Sequence, residues 1–485
     1  MSTQSIDPRT GEAFGPQLAD SDAEQVRAIC LEAERAGLVW AGLSAERRAD
    51  GIDSLADALD ASAAGLVPLA DSETALGIGR LTGELARTTF QLRMLASAVR
   101  DGVYAEQMID DAVAGDPPAG HPRLRRLFMP IGPVAVYAAS NFPFAFSVAG
   151  GDTASALAAG CAVVVKAHPG HPQTSEKVHE VLRSALEANG LPAGLIGMVR
   201  GFGAGGLLIQ DPAIKAAAFT GSQRGGRALY DLAGDRPDPI PFYGELGSVN
   251  PVVVLPSAAS RPSLAEDYVD SLLLGTGQFC TNPSVLLVPS GSPLVSEIAA
   301  EIGNRPAGLL LHPGVVAELD RSVGLVIGAG VEVLAGEPAH AGPASDGALS
   351  RGPLLLATTA VRLAGDPSPL GVECFGPVGL LVEYSSTDEL LAVLASLDGA
   401  LVGCVHGEAD DPAAVAVVAA IAARAGRVVW NGWPTGVAVT HFQHHGGPWP
   451  ATTSPLHTSV GVTAIRRFLR PVAFQSLPEE LLPGA

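Results

Sequence analysis

Short runs of consecutive apolar residues alternate, along the middle of the chain, with segments of helical length. The first series of runs is GPVAVYAAS (132–140), GCAVVVKAHP (160–169) and IKAAAFTGS (214–222). A helix-length segment, 146–160, separates the first two, and a helical pattern over 175–189 precedes the third. A strand that helices cover on both faces gives such a continuous apolar run. The pattern therefore predicts an α/β unit built on a doubly wound parallel sheet.

A second series of the same kind follows. Its apolar runs are NPVVVLP (250–256), SVLLVPS (284–290), VGLLVEY (378–384) and GRVVWNG (426–432). Helical patterns near 264–275 and 387–396 lie between them. The predicted fold class is therefore α/β, with two doubly wound, Rossmann-like units.

Helical periodicity also runs through the first hundred residues. The helix over 21–37 is predicted to begin with Ser21 and Glu24, which have the spacing of a capping box. The predicted domains are a dinucleotide-binding domain, 1–105 with 131–247, and a catalytic domain, 248–445.

Two stretches fit neither domain. Residues 106–130 are polar and rich in proline and glycine before RLRRLFMP, and residues 462–480 begin as VTAIRRFLRP. Paired strands that leave the body of the protein and add to the sheet of a neighbouring copy would explain both. The prediction is a β-arm for oligomerisation, in a homodimer or homotetramer; ordinary surface hairpins are the alternative.

Composition and charge limit which classes of binding partner and which cellular compartment are expected. The 485 residues carry a net charge of −20, which disfavours nucleic acid and anionic membrane surfaces as partners. The N-terminus lacks the basic and apolar regions of a signal peptide, and the apolar stretch 413–423 is too short to span a bilayer. Five scattered cysteines show neither disulfide nor zinc-site spacing. A cytoplasmic protein of two or three domains is expected.

One cysteine differs from the others in its flanks. Cys280 lies in GTGQFCTNPSV (275–285), between a glycine-rich approach and an Asn-Pro pair. A buried cysteine needs neither flank, whereas a thiolate that a substrate must reach needs a turn that exposes it. Of the others, Cys30, Cys161 and Cys404 are predicted to lie in the core, and Cys374 near the site without a nucleophile's flanks.

Four stretches belong with this cysteine: ASNFPF (139–144), FYGELGSVNP (242–251), GQFCTNP (277–283) and ECFGPV (373–378). Each alone is a weak signal. In this order and at these spacings they resemble the aldehyde dehydrogenase superfamily, over nearly the whole chain. GQFCTNP, GELGSVNP and HHGGPWPATT (444–453) look closer still to its NADP-dependent branch, which includes α-ketoglutaric semialdehyde and bacterial fatty aldehyde dehydrogenases.

The resemblance implies a covalent oxidation of an aldehyde. Cys280 would attack the carbonyl as a thiolate, because the carbon must become tetrahedral before it can lose hydride. The side-chain amide of Asn141 and the backbone N–H of Cys280 would stabilise the oxyanion, each donor typically being worth ~2.7–4 kcal/mol. Hydride loss leaves a thioester. Glu245, 35 residues before Cys280, is the base that would activate water to hydrolyse it.

The resemblance also implies a nicotinamide dinucleotide. FTGSQRGG (219–226) is predicted to turn from a strand into a helix whose N-terminus receives the pyrophosphate. Glu373 matches the family's glutamate on the nicotinamide ribose, Phe375 the residue beside that ring, and Lys166 the lysine on the adenosine ribose. The cofactor-binding residues predicted in this way are Ser140, Lys166, His168, Gly221, Ser222, Gly226, Leu246, Glu373 and Phe375.

Proline at position 169 favours NADP over NAD. In this family an acid often stands three residues after the lysine, where it would hold the ribose hydroxyls and repel a 2′-phosphate. Here Pro169 removes that repulsion, while Lys166 and His168 leave donors nearby. Arg200 and Arg224 flank the nucleotide turn in sequence and would add positive charge. NADP is the predicted cofactor, and use of both nucleotides is the alternative.

Three histidines near position 445 raise the question of a metal. His441 and His445 are four residues apart, but GGPWP forbids a continuing helix, and no Glu or Cys completes a ligand set. No metal site is predicted. His445 is instead predicted to orient substrate or assist proton transfer, with a structural hydrogen bond as the alternative.

The predicted substrate is a carboxylate-bearing semialdehyde such as α-ketoglutaric semialdehyde, because the motifs lean toward that branch. A fatty or general aldehyde is the alternative.

Two other functions compete with aldehyde oxidation. Acyl transfer to coenzyme A needs no base such as Glu245, and a catalytically silent protein has no chemical reason to keep Cys280, Glu245 and Asn141 together.

Overall fold

The computed structural model describes residues 2–338, 347–368 and 370–482. Its strands are β1 (Ser2–Ile6), β2 (Ala13–Ala19), β3 (Met108–Asp110), β4 (Leu124–Pro130), β5 (Val134–Tyr137), β6 (Val163–Lys166), β7 (Ile196–Val199), β8 (Ala216–Thr220), β9 (Phe242–Glu245), β10 (Pro251–Val254), β11 (Val285–Pro289), β12 (Gly308–Leu309), β13 (Glu332–Ala335), β14 (Ser350–Arg351), β15 (Leu354–Thr359), β16 (Val378–Tyr384), β17 (Ala400–His406), β18 (Ala425–Trp430) and β19 (Leu469–Gln475). Its α-helices are α1 (Ala23–Ala41), α2 (Ala45–Ala61), α3 (Ala63–Thr74), α4 (Ile78–Asp101), α5 (Gly151–Ala158), α6 (Pro172–Ala188), α7 (Phe202–Gln210), α8 (Gln223–Gly234), α9 (Leu264–Leu273), α10 (Leu294–Gly303), α11 (Pro313–Gly328), α12 (Ala360–Gly365), α13 (Thr387–Ser396) and α14 (Ala414–Ala422).

A five-stranded parallel sheet with the order β7–β6–β5–β8–β9 contains the first series of apolar runs. β5 pairs with β6 on one side and β8 on the other, so that Val134 lies opposite both Val163 and Ala216. Helices α5 to α8 connect the strands. Because the chain winds away from β5 in both directions, a crevice forms at the carboxyl ends of β5 and β8, where such sheets bind ligands.

The second series of apolar runs forms a seven-stranded sheet with the order β13–β15–β16–β11–β10–β17–β18. Neighbouring strands are parallel, except for the edge pair β13 and β15. The four predicted runs correspond to β10, β11, β16 and β18, and the two predicted helices to α9 and α13. The predicted α/β class with two doubly wound sheets is confirmed.

The two stretches assigned to neither domain pair with each other. β4 lies between β19 and β3 in a three-stranded antiparallel sheet, with Leu469 opposite Pro130 and Gln475 opposite Leu124. Addition of this sheet to a neighbouring copy stays a prediction. Within the described ranges, no helix combines the length and the apolar character that a membrane span requires.

The cap at the start of α1 differs from the predicted one. Asp22 is the capping residue: its Oδ1 accepts a hydrogen bond from the backbone N–H of Gln25 at 2.8 Å, and Gln25 Oε1 accepts one from the N–H of Asp22 at 3.1 Å. Ser21 is engaged elsewhere, because its hydroxyl accepts a hydrogen bond from the N–H of Arg200. The capping box predicted for Ser21 and Glu24 was therefore wrong by one residue.

Residues late in the chain close the core around the five-stranded sheet. Arg467 donates hydrogen bonds to Asp152 Oδ1 at 2.7 Å and to Ser155 Oγ at 3.0 Å, both on α5. This buried ion pair joins residues that are 315 positions apart. The neighbouring side chains that pack into the same core are Val462, Ile465, Phe468 and Leu469.

Candidate active site

Cys280 lies on a turn that follows the 3-10 helix Leu274–Gly277. Gly275 and Gly277 have positive φ angles of 57° and 70°, so the chain reverses sharply before the cysteine. A Cβ atom on Gly277 would lie 2.0 Å from the carbonyl oxygen of Gly376. The glycine-rich approach thus permits a close contact between the cysteine-bearing turn and the loop that contains Gly376.

Two asparagines hold this turn from either side. Asn282 Nδ2 donates a hydrogen bond to the carbonyl of Leu272 at 2.8 Å, and Asn250 Nδ2 donates one to the carbonyl of Cys280 at 2.8 Å. Cys280 is partly exposed, whereas the four other cysteines are buried. The flanks therefore leave this cysteine partly exposed, unlike the other four.

Glu245 and His445 meet Cys280, although all three are distant in sequence. His445 Nε2 lies 2.8 Å from Glu245 Oε1 and 3.7 Å from Cys280 Sγ. The side chains of Glu245 and His445 are buried, with exposed fractions of 4% and 2%. The structure thus brings together three of the four residues predicted to be catalytic.

The surroundings of this cluster shift the pKa values of Cys280 and Glu245 in opposite directions. Burial raises the pKa of Cys280 well above its ordinary value, and the carboxylates of Glu245 and Glu373 raise it further. Burial also acts upward on the pKa of Glu245, but interactions with His445 and Ser459 outweigh it and leave that pKa lowered. Glu245 is therefore an ionised base within reach of the thiol that must lose its proton.

Two hydroxyl groups that sequence reasoning missed hold this pair in place. Ser459 Oγ donates a hydrogen bond to Glu245 Oε2 at 2.7 Å, and Thr458 Oγ1 accepts one from the backbone N–H of His445 at 2.8 Å. Their only signal in the sequence is the density of hydroxyl residues over 452–459. Glu245 and His445 line a small cavity of about 20 Å³.

Asn141 lies beside the cysteine-bearing turn, and Ser140 precedes it, half-buried, after β5. Asn141 Nδ2 donates a hydrogen bond to the carbonyl of Gln278 at 3.0 Å, which engages one of its two amide hydrogens. Among the residues that the structure describes, none accepts a hydrogen bond from the backbone N–H of Cys280. Both predicted oxyanion donors therefore retain a hydrogen.

Two arginines of α4 face the aromatic residues around the site, and sequence reasoning missed both. The guanidinium carbon of Arg80 lies 4.8 Å from the centre of the Phe279 ring, and Arg80 Nη2 donates a hydrogen bond to the carbonyl of Asn141 at 2.8 Å. The guanidinium carbon of Arg87 lies 5.4 Å from the centre of the Phe146 ring. Burial lowers the pKa of both arginines.

Glu84 lies between these arginines in sequence and cannot neutralise both. Its Oε1 accepts hydrogen bonds from the N–H groups of Phe144 and Ala145 at 2.8 and 3.0 Å, and burial raises its pKa to about 7. Arg80 Nη1 is buried without a hydrogen-bond partner in the described part of the chain. Arg80 and Arg87 therefore share at most one negative charge of Glu84, and Arg87 also interacts with the Glu245 carboxylate.

The turn from β8 into α8 has the features expected of a dinucleotide site. Ser222 caps α8, because its Oγ accepts a hydrogen bond from the N–H of Gly225 at 3.2 Å. A Cβ atom on Gly226 would lie 2.1 Å from Leu246 Cδ2. Glycine at this position therefore lets α8 pack closely against the loop that follows β9.

Gly221 and Glu373 both lie near the Cys280–Glu245 pair. The N–H of Gly221 donates a hydrogen bond to the carbonyl of Glu245 at 3.1 Å. The Glu373 carboxylate packs so closely on Gly247 that a Cβ atom there would lie 1.9 Å from Oε2. Burial raises the pKa of Glu373 to about 7. Phe375 packs against a buried cluster of the seven-stranded sheet.

Lys166 and His168 follow β6 at the other end of the crevice. Burial lowers the pKa of Lys166 to about 8, while Asp20, an acid that sequence reasoning did not consider, acts upward. Burial and the neighbouring His312 lower the pKa of His168 well below its ordinary value. His168 Nδ1 accepts a hydrogen bond from the N–H of Gly170 at 3.0 Å. His168 is therefore neutral and carries its hydrogen on Nε2.

The two arginines expected to add positive charge near the nucleotide are engaged by carboxylates. Arg200 forms an ion pair with Glu176 and donates a hydrogen bond to the carbonyl of Ala19 at 3.2 Å. Arg224 has a side-chain exposure of 82% and lies 3.5 Å from Glu318. Their contribution to cofactor choice is therefore smaller than their positions in the sequence suggested.

Contrary to the expectation that no Glu or Cys accompanies His445, Glu245 and Cys280 lie close to it, although they are far from it in the chain. The fold brings one ligand atom of each of these three residues within 4.8 Å of the others. His441, which is exposed, and His444 lie outside this group.

Comparison with known proteins gives relatives over nearly the full length. A sequence model of the aldehyde dehydrogenase family matches residues 1–448. α-Ketoglutaric semialdehyde dehydrogenase 2 of Azospirillum brasilense is 42% identical, over 99% of this chain and 92% of its own length. An α-ketoglutaric semialdehyde dehydrogenase of Acinetobacter baylyi is 37% identical, over the same shares of the two chains.

Solved structures share the fold. A mutant of aldehyde dehydrogenase C from Pseudomonas syringae, solved with NAD⁺ and octanal, superposes with a TM-score of 0.82 at 22% identity, over 98% of this chain and 93% of its own. An E. coli structure described as an NADP dependent enzyme gives a TM-score of 0.82 at 22% identity, over 98% and 94%. At these identities the likeness concerns the architecture alone, and it confirms the predicted fold class.

Proposed function

The chain belongs to the aldehyde dehydrogenase family, and we propose that it oxidises an aldehyde to a carboxylic acid through a covalent adduct on Cys280. The observation that carries this proposal is the meeting of Cys280, Glu245 and His445, whose ligand atoms lie within 4.8 Å of one another. A nucleophile, a carboxylate base and an imidazole at this range serve both half-reactions, thioester formation and thioester hydrolysis.

In the first half-reaction, Cys280 Sγ forms a bond to the aldehyde carbon, and the thiol proton passes to Glu245 or His445. The carbonyl oxygen becomes an oxyanion, which the remaining amide hydrogen of Asn141 and the N–H of Cys280 stabilise. Arg87 lowers the pKa of Cys280 against the larger upward effects, and so favours the thiolate.

We infer that a nicotinamide dinucleotide binds beside α8, where Gly226 allows close packing on Leu246 and the helix N-terminus offers backbone N–H groups to an anion. When bound, the nicotinamide supplies the hydride acceptor for the oxidation. The residues that would hold the dinucleotide are Ser222 with the N-terminus of α8 at the pyrophosphate, Glu373 at the nicotinamide ribose and Lys166 at the adenosine ribose.

Hydrolysis of the thioester needs a base close to the acyl carbon. Glu245 takes a proton from water as that water attacks, and the bond from carbon to Cys280 Sγ breaks with release of the thiolate. Acyl transfer to coenzyme A requires no such base, so the position of Glu245 favours hydrolysis.

We propose a substrate with a second, anionic end, such as α-ketoglutaric semialdehyde. Arg80 and Arg87 contact the aromatic side chains next to the cysteine-bearing turn, and Glu84 neutralises at most one of them. A distal carboxylate would supply an acceptor for Arg80 Nη1, which lacks a partner among the described residues. Two relatives at 42% and 37% identity are α-ketoglutaric semialdehyde dehydrogenases.

Arg87→Gln is expected to lower the ratio of kcat/KM for α-ketoglutaric semialdehyde over pentanal by about tenfold, ~1.4 kcal/mol, mainly through KM. The physical reason is the loss of one charge-assisted contact with the distal carboxylate, which pentanal lacks. The measurement is kcat/KM over a panel of short aliphatic, long aliphatic, aromatic and carboxylate-bearing aldehydes.

Arg93→Gln is the matched control on the same helix, since Arg93 pairs with Asp57 and Asp60 at the surface. It should leave the ratio unchanged. A wild-type preference for uncharged long-chain aldehydes would refute the anionic substrate, and an unchanged ratio in Arg87→Gln would refute the role of Arg87.

We propose that NADP is preferred over NAD. Pro169, three residues after Lys166, is exposed and offers no carboxylate to repel a 2′-phosphate. Lys166 and the Nε2 hydrogen of His168 remain as donors. Asp20 offsets part of this advantage, because its carboxylate interacts with the ammonium of Lys166.

The expected kcat/KM with NADP is about tenfold that with NAD at one saturating aldehyde, a difference of ~1.4 kcal/mol. Lys166→Gln should remove most of this preference, and Asp20→Asn should increase it. Lys177→Gln, at an exposed lysine paired with Glu180, is the control and should leave the preference intact. A tenfold preference of the wild-type enzyme for NAD would contradict the proposal.

A further inference from the structure

We propose that Cys280, Glu245 and His445 form a binding site for Zn²⁺ or a similar thiophilic divalent cation, which blocks the nucleophile reversibly. One ligand atom of each residue lies within 4.8 Å of the other two, and among the residues that the structure describes no other group of three ligating side chains converges in this way. A thiolate, an imidazole and a carboxylate are a ligand set that zinc commonly takes.

The distances suit tetrahedral coordination. Zinc bonds of ~2.3 Å to sulfur and ~2.0–2.2 Å to nitrogen and oxygen place tetrahedral ligand atoms about 3.4–3.5 Å apart. Cys280 Sγ and His445 Nε2 are 3.7 Å apart, and His445 Nε2 and Glu245 Oε1 are 2.8 Å apart. Coordination requires the second distance to open by about half an ångström. It also requires Cys280 Sγ and the Glu245 oxygen, which lie within 4.8 Å of each other, to be about 3.5 Å apart.

The charges balance in this buried site. Coordination breaks the S–H bond of Cys280 and releases its proton to solvent, while His445 binds through Nε2 as the neutral imidazole, with its hydrogen on Nδ1. The thiolate and the Glu245 carboxylate then neutralise the dication. The fourth position is left to water, as in zinc sites with three protein ligands.

The surroundings support the ligands and give access to one of them. Ser459 Oγ holds Glu245 Oε2 at 2.7 Å, which orients the carboxylate and leaves Oε1 for the cation. Cys280 is the partly exposed cysteine, whereas the other four are buried. A thiophilic cation therefore reaches sulfur at this site, and it competes with the aldehyde for Sγ.

The test uses the purified enzyme without aldehyde or nucleotide, so its outcome does not depend on the proposed function. Zn²⁺ binding is measured by competition with a chromophoric chelator, and Co²⁺ binding by the appearance of a thiolate-to-cobalt charge-transfer band. We expect one Zn²⁺ per chain, protection of Cys280 from alkylation by iodoacetamide, and full reversal by a chelator.

His445→Gln and Glu245→Gln should each weaken Zn²⁺ binding by about tenfold or more, and Cys280→Ala should abolish the cobalt band. His441→Gln, at an exposed histidine outside the group, should bind Zn²⁺ like the wild type. Equal affinity in wild type and His445→Gln, or alkylation of wild-type Cys280 at an unchanged rate with bound Zn²⁺, would overturn the proposal. The alkylation result stands even if a variant fails to fold.

Discussion

Cys280→Ala is expected to abolish aldehyde oxidation while leaving dinucleotide binding near the wild-type level. Cys280 Sγ is the partly exposed thiol, 3.7 Å from His445 Nε2, and the other four cysteines are too deeply buried to replace it. Loss of a covalent nucleophile typically lowers kcat by on the order of 10⁴-fold or more. Steady-state formation of the reduced nucleotide and the Kd for the dinucleotide are the two measurements.

Cys30→Ala is the matched control, because Cys30 is fully buried in α1 and lies in the core of the first sheet. It should retain activity with a modest loss of stability. Substantial dehydrogenase turnover by purified Cys280→Ala would rule out the covalent mechanism, whatever its effect on dinucleotide binding.

Glu245→Gln should give a burst of reduced nucleotide, close to one equivalent per chain, followed by turnover about 10²–10⁴-fold slower than that of the wild type. The burst survives because loss of the carboxylate that holds the hydrogen on His445 Nε2 lets that nitrogen, 3.7 Å from the sulfur, accept the thiol proton. Hydrolysis stalls because an amide cannot deprotonate water. Stopped-flow absorbance followed by steady-state rates separates the two phases.

Ser459→Ala provides a graded comparison, since it removes the 2.7 Å hydrogen bond to Glu245 and keeps the carboxylate. Its steady-state rate should fall less than that of Glu245→Gln, with the burst intact. If Glu245→Gln showed no burst at all, Glu245 would be the sole acceptor of the Cys280 proton in the first half-reaction, and His445 could not replace it.

The inner strands of both sheets could be predicted from the sequence because they are covered on both faces. PVVV in β10 and VVVK in β6 show no polar alternation, so burial on both sides was the only structure that suited them. The start of α1 was misplaced because Ser21 and Asp22 are both good caps, and the choice depends on the contact between Ser21 and Arg200. That contact joins residues 179 positions apart.

The contacts inside the site could not be predicted from the sequence either, because they too join residues that are distant in the chain. Nothing local distinguishes Ser459 from other hydroxyl residues, and its bond to Glu245 exists only because the two segments pack together. Arg80 and Arg87 lie on a helix whose periodicity was evident, yet arginine usually faces solvent, and only the packing of α4 turns them inward. The flanks of Cys280 were a stronger signal because they act on the adjacent backbone.

The first core stays incomplete through much of translation, because residues 462–469, which close it, are synthesised late. β9 ends at residue 245, and at 5–20 residues per second the ribosome needs roughly 11 to 45 seconds more to reach Phe468. Until then Asp152 lacks the cation of Arg467, and the apolar surface that Phe468 covers lies open on a nascent chain. A chaperone that shields this surface during translation would raise the yield of folded protein.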